Sequence, residues 1–195
     1  AAGTTFVSDK INTSYLKVSG TTMFSTGSDT TNGNELWKTD GTMAGTVLVK
    51  NINTTIVNAG NSNPSFLTDV NGVLYFMAND GVNGNELWKS DGTEVGTVLL
   101  KSFNSLNSLF KVVNGILYFG ANFNNQYGLW KSDGTAAGTV MVKDLTPGSG
   151  NSDLKFFSNV NGILVFKFDD GINGNELWKS DGTEAGTTLL KDINA

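Results

Sequence analysis

An all-β fold, assembled from four copies of one small antiparallel sheet, is what this sequence predicts. Three observations carry that expectation. The phrase Glu35-Leu-Trp-Lys-Thr-Asp-Gly-Thr42 returns as Glu86-Leu-Trp-Lys-Ser-Asp-Gly-Thr93, Gly128-Leu-Trp-Lys-Ser-Asp-Gly-Thr135 and Glu176-Leu-Trp-Lys-Ser-Asp-Gly-Thr183, each followed by x-x-Gly-Thr and an apolar run ending in lysine. Its tryptophans lie 51, 42 and 48 residues apart (88−37, 130−88, 178−130), a period that fits one meander of short strands. The 24 glycines and abundant Asn, Ser and Thr punctuate short β-rich runs, and no segment carries a helical period.

The second repeat shows the plan element by element. Residues 66–70 read as a first strand, and Asn71-Gly72 supplies the two positive-φ residues of a type I′ hairpin turn. Residues 73–77, rich in β-branched and aromatic side chains, form the second strand. A wider turn over 79–84 leads to the third strand at 85–89, and Ser90-Asp91-Gly92-Thr93 turns the chain into a fourth at 97–101. Asn114-Gly115 and Asn161-Gly162 occupy the first hairpin in later repeats, with Ser19-Gly20 in the first. Repeats then fall at about 10–52, 62–103, 105–145 and 152–193.

Such a sheet cannot bury both faces alone, so its neighbours must cover it. Four-stranded meanders recurring every ~40–50 residues are the pattern of a β-propeller, and four blades of four strands in one domain over 1–195 is the natural count. A parallel β-helix would need shorter rungs. The segment Ala2-Gly3-Thr4-Thr5-Phe6-Val7-Ser8-Asp9 matches Ala185–Asp192, a fourth strand, so residues 1–9 form an extra or closing strand. An unpaired strand edge of that kind is a template for association.

Composition narrows the function classes. The formal net charge is −5 with no Lys/Arg cluster, so no phosphate-tracking stripe for nucleic acid is present. No apolar run approaches the ~20 residues of a spanning helix. Cysteine and histidine are both absent, which removes thiolate chemistry, the commonest general base and the commonest transition-metal ligand. The start at Ala1-Ala2-Gly3, without methionine, suggests a processed or excised piece.

The phrase Glu-Leu-Trp-Lys-Ser-Asp-Gly-Thr-Glu-x-Gly-Thr resembles the bacterial ELWxxDGT repeat, which occurs in tandem in large secreted or surface proteins. The resemblance covers essentially the whole chain. The layout Asn63-Pro-Ser-Phe…Leu74-Tyr-Phe…Asp80…Glu86-Leu-Trp…Asp91-Gly is similar to the blades of TolB-like propellers, and the Ser-Asp-Gly-Thr turns resemble the Asp-box hairpins of sialidase-like propellers. These resemblances imply a propeller in an exported protein and no particular ligand. The third repeat departs from the pattern, with Tyr127-Gly128 where the others have Asn-Glu.

Each recurring residue type has a structural and a functional reading. Trp37, Trp88, Trp130 and Trp178 occupy one internal strand position, which favours packing between sheets over stacking on sugars. Tyr127 and Phe123 are the aromatic candidates for a sugar platform. Asp40, Asp91, Asp133 and Asp181 precede glycine and are expected to accept hydrogen bonds from their own turns. Asp29…Glu35, Asp80…Glu86 and Asp170…Glu176 share a spacing of six, and both acids vanish together in repeat three. A structural calcium is conceivable there, but two carboxylates fall short of six to eight oxygens, so turn capping is preferred. The lysines, Lys38 and its equivalents among them, suit cross-strand pairing with acids. No catalytic or metal-binding residue is assigned, and the ligand-binding residues are unknown at this stage.

With carboxylates only at symmetric repeat positions, an enzyme is not expected, and a hydrolase ranks last. The first expectation is an extracellular binding or adhesion module, with glycans or other surface proteins as partners. The alternative is a self-assembling surface protein linked through its terminal strand.

Overall fold

The structure, a computed structural model, describes residues 8–55, 60–107, 109–145, 154–170 and 172–192. It is all-β: the described residues form four antiparallel sheets and no helix. The first sheet holds β1 (Ile11–Ser19), β2 (Thr22–Asp29), β3 (Gly33–Thr39) and β4 (Val47–Lys50). The second holds β5 (Ser65–Val70), β6 (Val73–Ala78), β7 (Asn85–Ser90) and β8 (Val98–Phe103). The third adds a short β9 (Ser105–Leu106) to β10 (Lys111–Val113), β11 (Ile116–Phe123), β12 (Gln126–Ser132) and β13 (Val140–Asp144). The fourth holds β14 (Lys155–Val160), β15 (Ile163–Asp169), β16 (Asn175–Ser180) and β17 (Thr188–Lys191). Within each sheet the main path follows chain order, the meander expected from the repeat.

Two details differ from the sequence reading. The third sheet has five strands rather than four, because β9 pairs with the free end of β11 through Ala121↔Leu106 and Asn122↔Ser105. The first hairpin turns at Gly20-Thr21, one residue later than Ser19-Gly20. Ser19 instead pairs with Thr22, and its buried hydroxyl donates to Asp69 Oδ1 at 2.6 Å. The other first hairpins turn as the sequence requires, with Asn71 and Gly72 at φ 53° and 83°. The extra strand expected over 1–9 lies largely outside the described residues; residues 8–10 are not in a strand.

The chain divides into two compact units, Ala1–Ser102 and Phe103–Ala195. Directly opposed residues share a face, so the register sorts each sheet's side chains. Tryptophan lies opposite the central residue of the second strand: Ser25↔Trp37, Phe76↔Trp88, Phe119↔Trp130 and Phe166↔Trp178. The neighbouring leucine of the phrase points to the other face. In the first unit the leucine face of the first sheet (Phe24, Leu36, Val49) packs against the tryptophan face of the second (Leu74, Phe76, Trp88). In the second unit Tyr118, Leu129 and Val142 meet Leu164, Phe166 and Trp178 in the same way. Each large apolar side chain so buried contributes roughly 1.5–3 kcal/mol.

Candidate functional site

The Asp-Gly turns are built to one plan. Asp91 Oδ1 accepts from Thr93 N at 2.8 Å and from Thr93 Oγ1 at 2.7 Å, while Gly96 N donates to Thr93 Oγ1 at 2.9 Å. Ser90 and Thr97 share a buried hydroxyl bond of 2.7 Å beneath the turn. Asp40, Asp133 and Asp181 bond their own threonines identically. The structural role expected of these aspartates is therefore what the structure shows. The threonine bonds hold Asp40, Asp91 and Asp181 below the usual carboxylate range. The second glycine of the motif is explained too: a Cβ at Gly96 would overlap the Asp91 carboxylate.

The acids of the wider turn separate into two jobs. Asp29, Asp80 and Asp170 cap their own loops, each accepting from two backbone amides and from the side-chain amide of Asn32, Asn83 or Asn173. Glu35 is fully buried and receives Ile52 N at 2.9 Å, Ser62 N at 3.2 Å and the Ser62 hydroxyl, so it ties the lead-in of the second sheet to the first. Glu86 is equally buried, but among the described residues it accepts only from Asp80 N at 2.9 Å and Trp88 Nε1 at 3.4 Å, and its Oε1 has no partner there. Burial pushes its carboxyl up to about 7, against the lowering effect of the Asp80 amide bond. The turn-capping reading holds for all three aspartates. Among the described residues no three acidic side chains gather as a metal would need.

Repeat three replaces this arrangement outright. Its turn tightens to Asn124-Asn125, at φ 52° and 64°, so no long loop needs an aspartate cap. The Tyr127 hydroxyl substitutes for the glutamate: it accepts from Asn107 Nδ2 at 3.0 Å and Leu154 N at 3.2 Å. Tyr127 is thus half-buried and engaged rather than a free sugar platform. Phe123 lies edge-on to Phe103 and Trp130, with centroids 6.2 and 5.8 Å apart. Trp37, Trp88 and Trp130 are buried and Trp178 half-buried, as packing demands.

Two lysines of the repeated phrase reach backbone carbonyls rather than acids. Lys38 Nζ donates to Gly92 O at 2.7 Å and Lys131 Nζ to Gly182 O at 2.9 Å. Each bond clasps the turn of the following sheet within one unit.

The first unit also carries an open groove of about 490 Å³ that the sequence did not single out. Asn12, Ser28, Asn34, Asn61 and Asn63 line it, with Lys10 and Asp9 beside them. The β2–β3 hairpin and the loop before β5 hold it together, Asn61 Oδ1 accepting from Asn34 N at 2.7 Å and Asn63 Oδ1 from Asn34 Nδ2 at 3.1 Å. Asn63 sits at φ 46°, a conformation asparagine tolerates better than most residues. The available sequence signal was the long 53–63 connection, in which Asn61-Ser62 recurs as Asn107-Ser108 and Asn151-Ser152 while Asn63 gives way to Leu109 and Asp153.

No family model matches the chain, and no curated protein does. Among solved structures it is similar to Bacteroides ovatus Xyloglucan PUL GH43B, with a TM-score of 0.44 and 13% identity. That likeness covers 93% of this chain and 40% of the other, so the chain spans well under two thirds of that protein.

Proposed function

We propose that this chain is a non-enzymatic binding or adhesion module of an exported protein of the ELWxxDGT-repeat kind. Its four sheets serve as propeller blades, and its ligand is a glycan seated in the asparagine groove. The observation that carries the reading is the groove's lining. Carboxamides both donate and accept, which matches the hydroxyls of a neutral sugar, and the groove is open enough for a chain to lie along it. Two carboxylates flanking one bond are what glycoside hydrolysis usually needs, and Asp9 is the single carboxylate among the described residues of this lining. That favours binding over cleavage.

A glycan array on the purified protein tests the reading. Retention of at least one glycan is expected, and Ser28→Trp, which fills the groove from an exposed position, is expected to abolish it without changing the melting temperature. An array with no retained glycan, or retention that survives Ser28→Trp, overturns the site.

A further inference from the structure

Inside the second unit, the junction of the third and fourth sheets holds a cavity of about 420 Å³. Tyr118, Lys131, Asp133 and Asp181 form its polar lining, and Ile116 and Val140 supply apolar wall. The strands explain the convergence. Tyr118 of β11 lies directly opposite Lys131 of β12, and Asp133 opens the turn that follows β12. The turn after β16 brings in Asp181, because Lys131 Nζ donates to Gly182 O at 2.9 Å.

Tyr118 is the odd member of this lining. It is only 6% exposed, yet its hydroxyl makes no hydrogen bond among the described residues. The neighbouring Tyr127, by contrast, has its hydroxyl taken by Asn107 and Leu154. The Tyr118 hydroxyl lies against the Asp181-Gly182 turn, since a Cβ at Gly182 would meet it. The clasp between sheets does not require that hydroxyl. Phe24, Tyr75 and Val165 are the counterparts of Tyr118, and Lys38 reaches Gly92 in the first unit with Phe24 in place. Phenylalanine would pack the same surface without burying an unmet donor, which is costly. Burial, and then the Asp181 charge, push the phenol above its usual ionisation range, so it remains a donor at neutral pH.

The wall's chemistry sets the class of ligand. Lys131 has two protons left to donate after its bond to Gly182. Asp181 gives Oδ1 to Thr183, and its carboxylate has acceptor capacity beyond that. An anion entering here would face the carboxylates of Asp133 and Asp181, and a cation would face the Lys131 ammonium. A neutral molecule rich in hydroxyls avoids both penalties. It can donate to Asp181, accept from Lys131 and Tyr118, and lay its C–H surface on Ile116 and Val140. The volume falls within the roughly 300–1,000 Å³ of small-molecule sites.

We propose that this cavity binds a neutral monosaccharide, with the Tyr118 hydroxyl as its buried donor and Asp181 and Lys131 as its further polar contacts. The site lies wholly within the second unit and does not depend on the asparagine groove of the first.

Titration of the whole chain with D-glucose, D-galactose, D-mannose and D-xylose, followed by saturation-transfer NMR, tests it, with D-glucuronate and D-glucosamine as charged counterparts. At least one neutral sugar is expected to bind, and more tightly than either charged one. Tyr118→Phe should weaken that sugar by roughly three- to tenfold, the loss of one buried hydrogen bond. The melting temperature of the sugar-free variant should be unchanged or higher, because an unmet donor is gone. Val140→Trp, which fills the cavity from a position 38% exposed, should abolish binding. Ser28→Trp, in the asparagine groove, should leave it at wild-type strength. If none of the four neutral sugars binds, water is the occupant and the proposal fails. Binding that Tyr118→Phe leaves unchanged, that vanishes in Ser28→Trp, or that favours a charged sugar overturns it as well. A lower melting temperature in Tyr118→Phe would show the hydroxyl spent on the fold, and overturns its role as donor.

Discussion

Glu86 is the residue at which this fold gives up stability. Its carboxyl is fully buried, has one oxygen without a partner among the described residues, and is pushed by burial up to about 7 from the ordinary 4.5. Between those values the folded chain holds this proton more tightly than the unfolded chain, so the contribution of Glu86 to stability is fully present below pH 4.5 and is lost as the pH rises through 7. The loss amounts to on the order of 2 kcal/mol. Burial also raises Glu35, which adds a contribution of the same sign. Glu86→Gln keeps an acceptor for the Asp80 amide and removes the charge. We expect its urea midpoint to exceed that of wild type at pH 8 and to vary less between pH 5 and 8. A wild-type slope unchanged in Glu86→Gln would mean that another group carries it. The sequence marked the spacing of six between acids, yet not their division of labour. Asp80 caps a local turn, which spacing reveals; Glu35 ties its sheet to residues 52 and 62, and Glu86 is buried, neither of which spacing reveals.

At the scale of elements, the meander was legible because its signals are local. Asn-Gly pairs fix the hairpins, and alternation of apolar residues fixes the faces. What escaped depends on contacts beyond one repeat: the added β9, the one-residue shift at Gly20-Thr21, and the lysine clasp, whose acceptors are carbonyls that no sequence pattern marks. The asparagine groove escaped for the same reason, since Asn12, Asn34 and Asn61 meet only through the fold. The Asp-Gly turns offer a direct measure of the clasp. Gly41 and Gly182 have nearly the same φ, 91° and 90°, so alanine at either one incurs the same backbone strain of roughly 1–2 kcal/mol. Gly41→Ala meets nothing else, whereas a Cβ at Gly182 would collide with the Tyr118 hydroxyl. At dilute protein Gly182→Ala should therefore be the more destabilising by at least 1 kcal/mol in chemical denaturation. Adding Tyr118→Phe should recover part of the difference. Equal losses would show that the turn of the fourth sheet is not pressed against the third.

At the scale of the whole molecule, two compact units with separate apolar cores share one chain of tandem repeats. In such arrays stability is a sum of repeat and interface terms, so units can unfold separately when one is weakened. Leu74 and Leu164 are fully buried counterparts, one in each core. Truncating either to alanine removes roughly 2–5 kcal/mol from its own core. Calorimetry of Leu74→Ala should then show a low-temperature transition whose loss of amide protection falls within residues 11–102, the remainder melting near the wild-type temperature. Leu164→Ala should place the early loss within residues 103–192. The pairing matters more than either experiment alone: if both substitutions lower one transition for the entire chain, the cores are coupled as strongly to each other as within themselves. If each lowers only its own, the repeats act as two two-sheet blocks, and the clasp inside each block is the interaction that makes an otherwise half-exposed sheet stable.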